Sequence, residues 1–336
     1  MIQPLVFFQM ANDSGPLRHC LSGNEKKRKV EELRKVVRRC RLCPRECGVL
    51  RLDGHVGPCG AAANATVAHF GPHFGEEPAF TCEKGAGNIF FEGCNLQCVF
   101  CQNHQISHPG SHRTTVHNRE KLVMAHLELE RMGCQNIQWV TASHVLHDAL
   151  EALFEADELG FGLPLVYNSS GYEKVDTLKA LKGVVDVYLP DFKFGPDAVK
   201  AKPAVARNYF DVAAAALEEM VRQVGHLELD ETGAALRGVV VRHLVLPGDL
   251  ADTSGVLQFL ADRFGPAIWI SLMSQYNPRS PDLPPPLNRP LTRTEYERAV
   301  ETLERLGFSL GWVQSIESRD SFNPDFDLDD PFERAC

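Results

Sequence analysis

From Asn88 to Val313 the chain alternates short β-rich apolar runs with longer helical ones, and this alternation restricts the fold more than any other feature. Strands are predicted over Asn88–Phe91, Asn136–Thr141, Leu163–Tyr167, Val184–Leu189, Gly238–Leu246 and Ala267–Leu272, with a final apolar run over Phe308–Val313. Between them the spacing predicts helices over Glu120–Met132, Val145–Glu158, Val175–Leu181, Ala213–Val224, Ser254–Arg263 and Thr294–Leu306. Strands separated by one helix each require right-handed βαβ crossovers and a parallel sheet. The expected fold is α/β, a partial (β/α)6-type barrel of six or seven units. Pro281–Pro290, with five prolines, makes an extended connection. The acidic end, Glu317–Glu333, reads as a tail or a strap over the barrel.

The 336 residues carry a net charge of −9 and are 44% apolar, enough to form a substantial core. The acidic balance argues against general nucleic-acid binding and against a disordered chain. No window approaches the ~20 apolar residues of a membrane helix, and Met1–Met10 lacks the pattern of a signal peptide, so a cytoplasmic location without membrane contact is expected. Residues 1–41 run against the trend, with ten Lys or Arg and four Asp or Glu. Most of these lie in a helical stretch, Glu25–Arg41, read as a solvated helix face. The expected organisation is a leader and basic helix over 1–39, a cysteine-rich N-terminal extension over 40–84, the barrel over 85–315 and an acidic tail over 316–336.

Eight of the eleven cysteines fall between Cys40 and Cys101. A disulfide framework belongs to small secreted domains, so the clustering points to metal. Cys94, Cys98 and Cys101 form a C-x3-C-x2-C triad directly after the first predicted strand, where parallel α/β folds place functional groups. Three thiolates can ligate three irons of a four-iron cluster and leave the fourth iron open. The alternative is zinc with His104 or Cys82 as fourth ligand. Cys40, Cys43, Cys47 and Cys59 form a second set, suited to structural zinc or to a second four-iron cluster.

The triad, with Phe100 before its last cysteine, resembles the cluster motif of the radical SAM superfamily. Cys40–Val49, His73–Pro78, Phe90–Leu96, Val166–Glu173, Tyr188–Lys193 and Val241–Gly248 resemble the branch grouped with the pyruvate formate-lyase activating enzymes (PflX-like), over about Cys40 to Val313. The resemblance implies that S-adenosylmethionine chelates the open iron of a 4Fe-4S cluster. One electron then splits a carbon–sulfur bond, and the 5′-deoxyadenosyl radical formed abstracts hydrogen from a substrate. It further implies a flavodoxin- or ferredoxin-like one-electron donor, and a glycyl radical enzyme as substrate, with a small molecule or peptide as the alternative. A zinc-bound interaction protein without turnover is the reading from a different class.

Asp191 and Lys193 resemble the Asp-x-Lys pair of activating enzymes, and Arg242 resembles the arginine that approaches the methionine carboxylate. Asn168, Ser169 and Ser170, together with Gln275 and Tyr276 on the substrate side, are polar groups expected at the same mouth. Two departures stand out. Thr141-Ala142-Ser143-His144 replaces the Gly-Gly-Glu-Pro segment usual after the second strand, while Glu76-Glu77-Pro78 precedes the first strand. Gln275 stands where a histidine is common.

Overall fold

The computed structural model describes residues 15–108, 119–198, 206, 208–320 and 324–332. Its helices start where capping residues allow: Ser22 and Glu25 form a reciprocal capping box at the start of α1 (Gly23–Arg38), and Thr292 with Glu295 does the same for α9 (Arg293–Arg305). Between these lie α2 (Pro78–Thr81), α3 (His104–Ser107), α4 (Arg119–Arg131), α5 (Leu146–Glu158), α6 (Val175–Ala180), α7 (Tyr209–Val224) and α8 (Thr253–Phe264). The strands are β1 (Val67–His73), β2 (Ala86–Phe91), β3 (Ile137–Val140), β4 (Leu165–Ser169), β5 (Val187–Pro190), β6 (Glu228–Leu229), β7 (Ala235–Leu244), β8 (Trp269–Met273) and β9 (Gly311–Val313).

The sheet runs β1-β2-β3-β4-β5-β7-β8-β9, with β6 paired off this path to β7. From β2 to β9 the strands on this path are parallel, as the alternating sequence requires; β1 joins β2 antiparallel. Among the described residues no ladder joins β9 to β1, so the barrel is partial. Every predicted strand and helix is present, with small shifts at the ends.

Alternate strand residues divide between two environments. Ile89, Ile137, Trp139, Tyr167, Tyr188, Val241 and Ile270 join the main buried core, which includes residues of the surrounding helices. Val166, Val187, Val240 and Trp269 cluster instead with Phe80 of α2. Because β1 is antiparallel, it ends at His73 opposite Ala86, the first residue of β2. The connection through α2 therefore lies at the N-terminal ends of the parallel strands, and Phe80 plugs the barrel there.

β1 and α2 were not expected. Gly71 and Pro72 break the β signal in the sequence, but an edge strand tolerates proline on its unpaired side. Residues 67–73, counted in the cysteine-rich extension, thus belong to the sheet. Helix α1 lies across α5 and α6: Lys26 pairs with Asp157 at 2.7 Å and Lys29 Nζ donates to the Ala180 carbonyl at 3.0 Å. Of the leader, residues 1–14 lie outside the described residues, as do 321–323 and 333–336 of the acidic end. Phe326 and Phe332 of that end pack on Phe90, at 5.3 and 5.6 Å between ring centroids. No helix among the described residues is long and apolar enough to cross a membrane.

Candidate active site

The loop after β2 turns at Gly93, whose φ of +83° suits glycine and where a Cβ would stand 2.3 Å from the Cys59 carbonyl oxygen. It places Cys94, Cys98 and Cys101 together, the first two buried and the last partly so. The Leu96 amide donates to Cys94 Sγ at 3.3 Å, and Ser107 Oγ donates to Cys101 Sγ at 3.2 Å. Burial and the neighbouring thiols push Cys94 up to about 11 and Cys98 higher still. Bare, these thiols would keep their protons; ionised, they need a bound cation or cluster. Among the described residues no three His, Cys, Asp or Glu side chains converge tightly enough for a single metal ion. Three thiolates on one loop, each able to take its own iron, fit a cuboidal cluster with one open iron. Cys82, the alternative zinc ligand, caps α2 at the plugged end of the barrel.

A cavity of about 470 Å³ opens beside this loop. Asn168, Ser170, Asp191, Lys193, Arg242 and Gln275 line it together with all three cysteines. Asp191 and Lys193 form an ion pair. Burial works to lower the Lys193 pKa, but the Asp191 carboxylate outweighs it and holds the ammonium charged. Ser170 Oγ is buried without a hydrogen-bond partner, which fits a polar ligand in the cavity. Tyr209, which the sequence did not single out, holds this edge: its hydroxyl donates to the Ser170 carbonyl at 2.7 Å and accepts from the Lys193 amide at 2.9 Å.

The floor is a feature that sequence reasoning missed. Glu76 and Glu77, delivered by the turn between β1 and α2, both pair with the Arg242 guanidinium, Nε to Glu77 Oε1 at 2.7 Å. Asn88 Nδ2 donates to Glu76 at 2.7 Å. Burial would raise the Glu76 pKa, but Arg242 and His73 hold the carboxyl below its ordinary value. Arg242 therefore lines the cavity with its guanidinium already engaged by two carboxylates.

Tyr276 needs correction. It is 1% exposed, its hydroxyl donates to the Leu287 carbonyl at 2.5 Å, and its ring packs on Phe100; it does not line the cavity. Ser169 is likewise buried away from it, its hydroxyl accepting from the Gly171 amide. Gln275 does face the cavity, steadied by Gln314 Nε2 at 2.7 Å. Thr141 lines the cavity, whereas His144 is buried with its ring nitrogen 2.7 Å from the Glu92 carbonyl oxygen.

Cys40, Cys43 and Cys59 are buried and Cys47 is partly exposed. The loop closes on itself through Cys40 N–H to Val49 O at 3.0 Å and Gly48 N–H to Cys40 O at 2.9 Å. Burial, reinforced by the nearby Cys59 and Cys40, pushes Cys43 up to about 12.

Behind the cavity wall Glu173 is buried and accepts a hydrogen bond from Ser143. Burial raises its pKa from 4.5 to about 7. Between these values the unfolded chain ionises while the folded chain keeps its proton. Stability from this group is thus fully present below about 4.5 and is lost as pH rises through about 7. The loss is at most about 3 kcal/mol. Glu173→Gln is expected to flatten the decline of the unfolding temperature across this window, and an unchanged slope would contradict the assignment.

The radical SAM superfamily profile matches residues 88–252, and the chain belongs to that superfamily, which implies a 4Fe-4S cluster, S-adenosylmethionine and radical chemistry. An uncharacterized protein of Methanocaldococcus jannaschii is 31% identical over 288 residues, covering 84% of this chain and 79% of its own length. Among solved structures, native anSMEcpe with bound AdoMet is similar at a TM-score of 0.43 and 11% identity, over 64% of this chain and 57% of that one. HydG, a maturase of the FeFe hydrogenase, is similar at 0.45 and 12%, over 88% of this chain and 63% of that one. The chain thus spans less than two thirds of either structure.

Proposed function

We propose that this radical SAM enzyme abstracts hydrogen from a small molecule or a short peptide held in the cavity above Glu76, Glu77 and Arg242. In this reading Cys94, Cys98 and Cys101 hold the cluster, and Asp191, Lys193, Asn168 and Ser170 hold S-adenosylmethionine. When bound, the cluster supplies the electron that cleaves S-adenosylmethionine and so the radical that takes the hydrogen. The chain's residues position and enclose. Lys193 offers an ammonium to a carboxylate, Asp191 an acceptor to a hydroxyl or amine, and Ser170 a hydroxyl with no internal partner. Arg242, already engaged, shapes the floor.

The observation that carries the substrate class is the wall that the acidic end contributes to the cavity. Pro324 and Phe332 line the cavity, and the Phe332 ring packs tilted against His73 with ring centroids 4.1 Å apart. A volume of about 470 Å³ that must also take S-adenosylmethionine leaves room for compact groups. An extended loop of a glycyl radical enzyme would have to displace this segment, which makes that substrate the second reading.

The test is anaerobic reconstitution with iron and sulfide, then dithionite and S-adenosylmethionine, with 5′-deoxyadenosine as readout. Deoxyadenosine formation stimulated by a dialysable metabolite or peptide fraction is expected. Zinc alone with no deoxyadenosine would turn the reading over to a non-catalytic interaction protein. A glycyl radical signal from a glycyl radical enzyme with no response to small molecules would restore the second reading.

A further inference from the structure

The N-terminal cysteine loop does not stand apart from the triad loop; the two are docked backbone to backbone. The Cys94 amide donates to the Cys59 carbonyl at 3.0 Å, so a single hydrogen bond links the main chains of a cysteine in each set. Arg45 donates to the Asn95 carbonyl, and Gln97 Nε2 donates to the Pro58 carbonyl. The absence of a Cβ at Gly93 permits the contact. Beside Cys40 lies Arg51, 1% exposed, with Nε bonded to the Ala62 carbonyl at 2.8 Å, and Nη1 bonded to the His144 carbonyl at 2.6 Å and 3.8 Å from Cys40 Sγ. Its Nη2 is buried without a partner. A buried, incompletely bonded guanidinium against the Cys40 thiol marks a place built for negative charge, which four thiolates around a metal centre supply.

The outer side of the same loop meets solvent at a groove of about 540 Å³ between α1 and α6. Lys35, Arg38, Arg39 and Arg41 line it and are exposed, and the last two flank Cys40 in the chain. On a chain of net −9 this is a local positive face, suited to steering an acidic protein.

We propose that Cys40, Cys43, Cys47 and Cys59 bind a second four-iron cluster, which takes one electron at a time from an acidic carrier protein docked in this groove and passes it to the cluster at Cys94, Cys98 and Cys101. The proposal rests on the triad holding the catalytic cluster. The carrier is oxidised by one electron, the N-terminal cluster is reduced and then reoxidised, and the catalytic cluster is reduced. No bond forms or breaks in the transfer. The Cys59–Cys94 hydrogen bond provides a short path for an electron, whose tunnelling rate falls steeply with distance.

The experiment uses the full chain, reconstituted anaerobically, with iron and zinc counted and deoxyadenosine measured under two reductants, dithionite and enzymatically reduced flavodoxin. About eight irons per chain are expected, and about four in Cys43→Ser/Cys47→Ser. In that variant the ratio of flavodoxin-driven to dithionite-driven deoxyadenosine is expected to fall about tenfold or more, since a small reductant can bypass a relay and a protein cannot. A structural role would lower both rates alike and leave the ratio unchanged, which would overturn the proposal. Should that variant fail to fold, Lys35→Glu/Arg39→Glu/Arg41→Glu alters only exposed residues; it is expected to keep its irons and raise the KM for flavodoxin about tenfold. An unchanged KM would overturn the docking face. Zinc or only four irons in the wild-type chain, with deoxyadenosine still formed, would overturn the relay alone. Eight irons without deoxyadenosine would overturn the reading of the triad.

Discussion

Cys98→Ala is expected to reduce deoxyadenosine formation to background while the chain still folds. Cys98 is the middle cysteine of the triad, 6% exposed, and its loss leaves two ligands where a cluster with one open iron needs three. The surroundings fold without it: Leu96 and Phe100 are buried on either side, and the loop is anchored by the Cys94 amide to Cys59 and by Asn95 Nδ2 to the Tyr172 carbonyl at 3.0 Å. The fold should therefore keep its circular dichroism and lose about four irons. Retained cleavage of S-adenosylmethionine in this variant would sink the assignment of the triad.

The second large effect is expected at the cavity floor. Arg242 is 12% exposed at its side chain, and its two partners, Glu76 and Glu77, are 9% and 7% exposed. Arg242→Met leaves two adjacent carboxylates buried without their counter-charge and should cost about 3–5 kcal/mol. Adding Glu76→Gln and Glu77→Gln to the same chain removes the stranded charges and should recover most of that loss. Denaturant unfolding of the two variants measures the difference. Equal stability of the single and triple variants would show that the cluster of charges does not hold the floor.

The sequence revealed the barrel because its units are local: each βα pair is one apolar run followed by one amphipathic helix, and Ile137–Val140 or Leu146–Glu158 can be read without knowing what they touch. The triad was legible for the same reason, as three cysteines on one strand-to-helix loop. Asn168, Ser170, Asp191 and Lys193 were legible from their places at strand ends, and the structure brings all four to one cavity. What stayed hidden depends on contacts between distant segments. Glu76 and Glu77 read only as a string preceding the first predicted strand until β1 is known to run antiparallel and carry them beneath Arg242. Tyr209 sits at the start of a helix and gives no sign that its hydroxyl clamps Ser170 to Lys193. Tyr276 has the character of a mouth residue, and only its bond to Leu287 shows it turned inward. The one available hint at the floor was the Glu-Glu-Pro string itself, an acidic pair next to a proline and followed by buried Phe80.

That floor also sets an order of assembly. Glu76 and Arg242 are 166 residues apart in the chain, and the Leu17 amide reaches Asp186 across 169. Contacts so distant in sequence form late, after the entropy of closing a long loop has been overcome, and they slow folding. A nascent chain carries both cysteine loops out of the ribosome well before β7 exists to receive Glu76 and Glu77. Until β7 emerges, Glu76 and Glu77 lack the guanidinium that neutralises them, and the thiol loops stay accessible during synthesis.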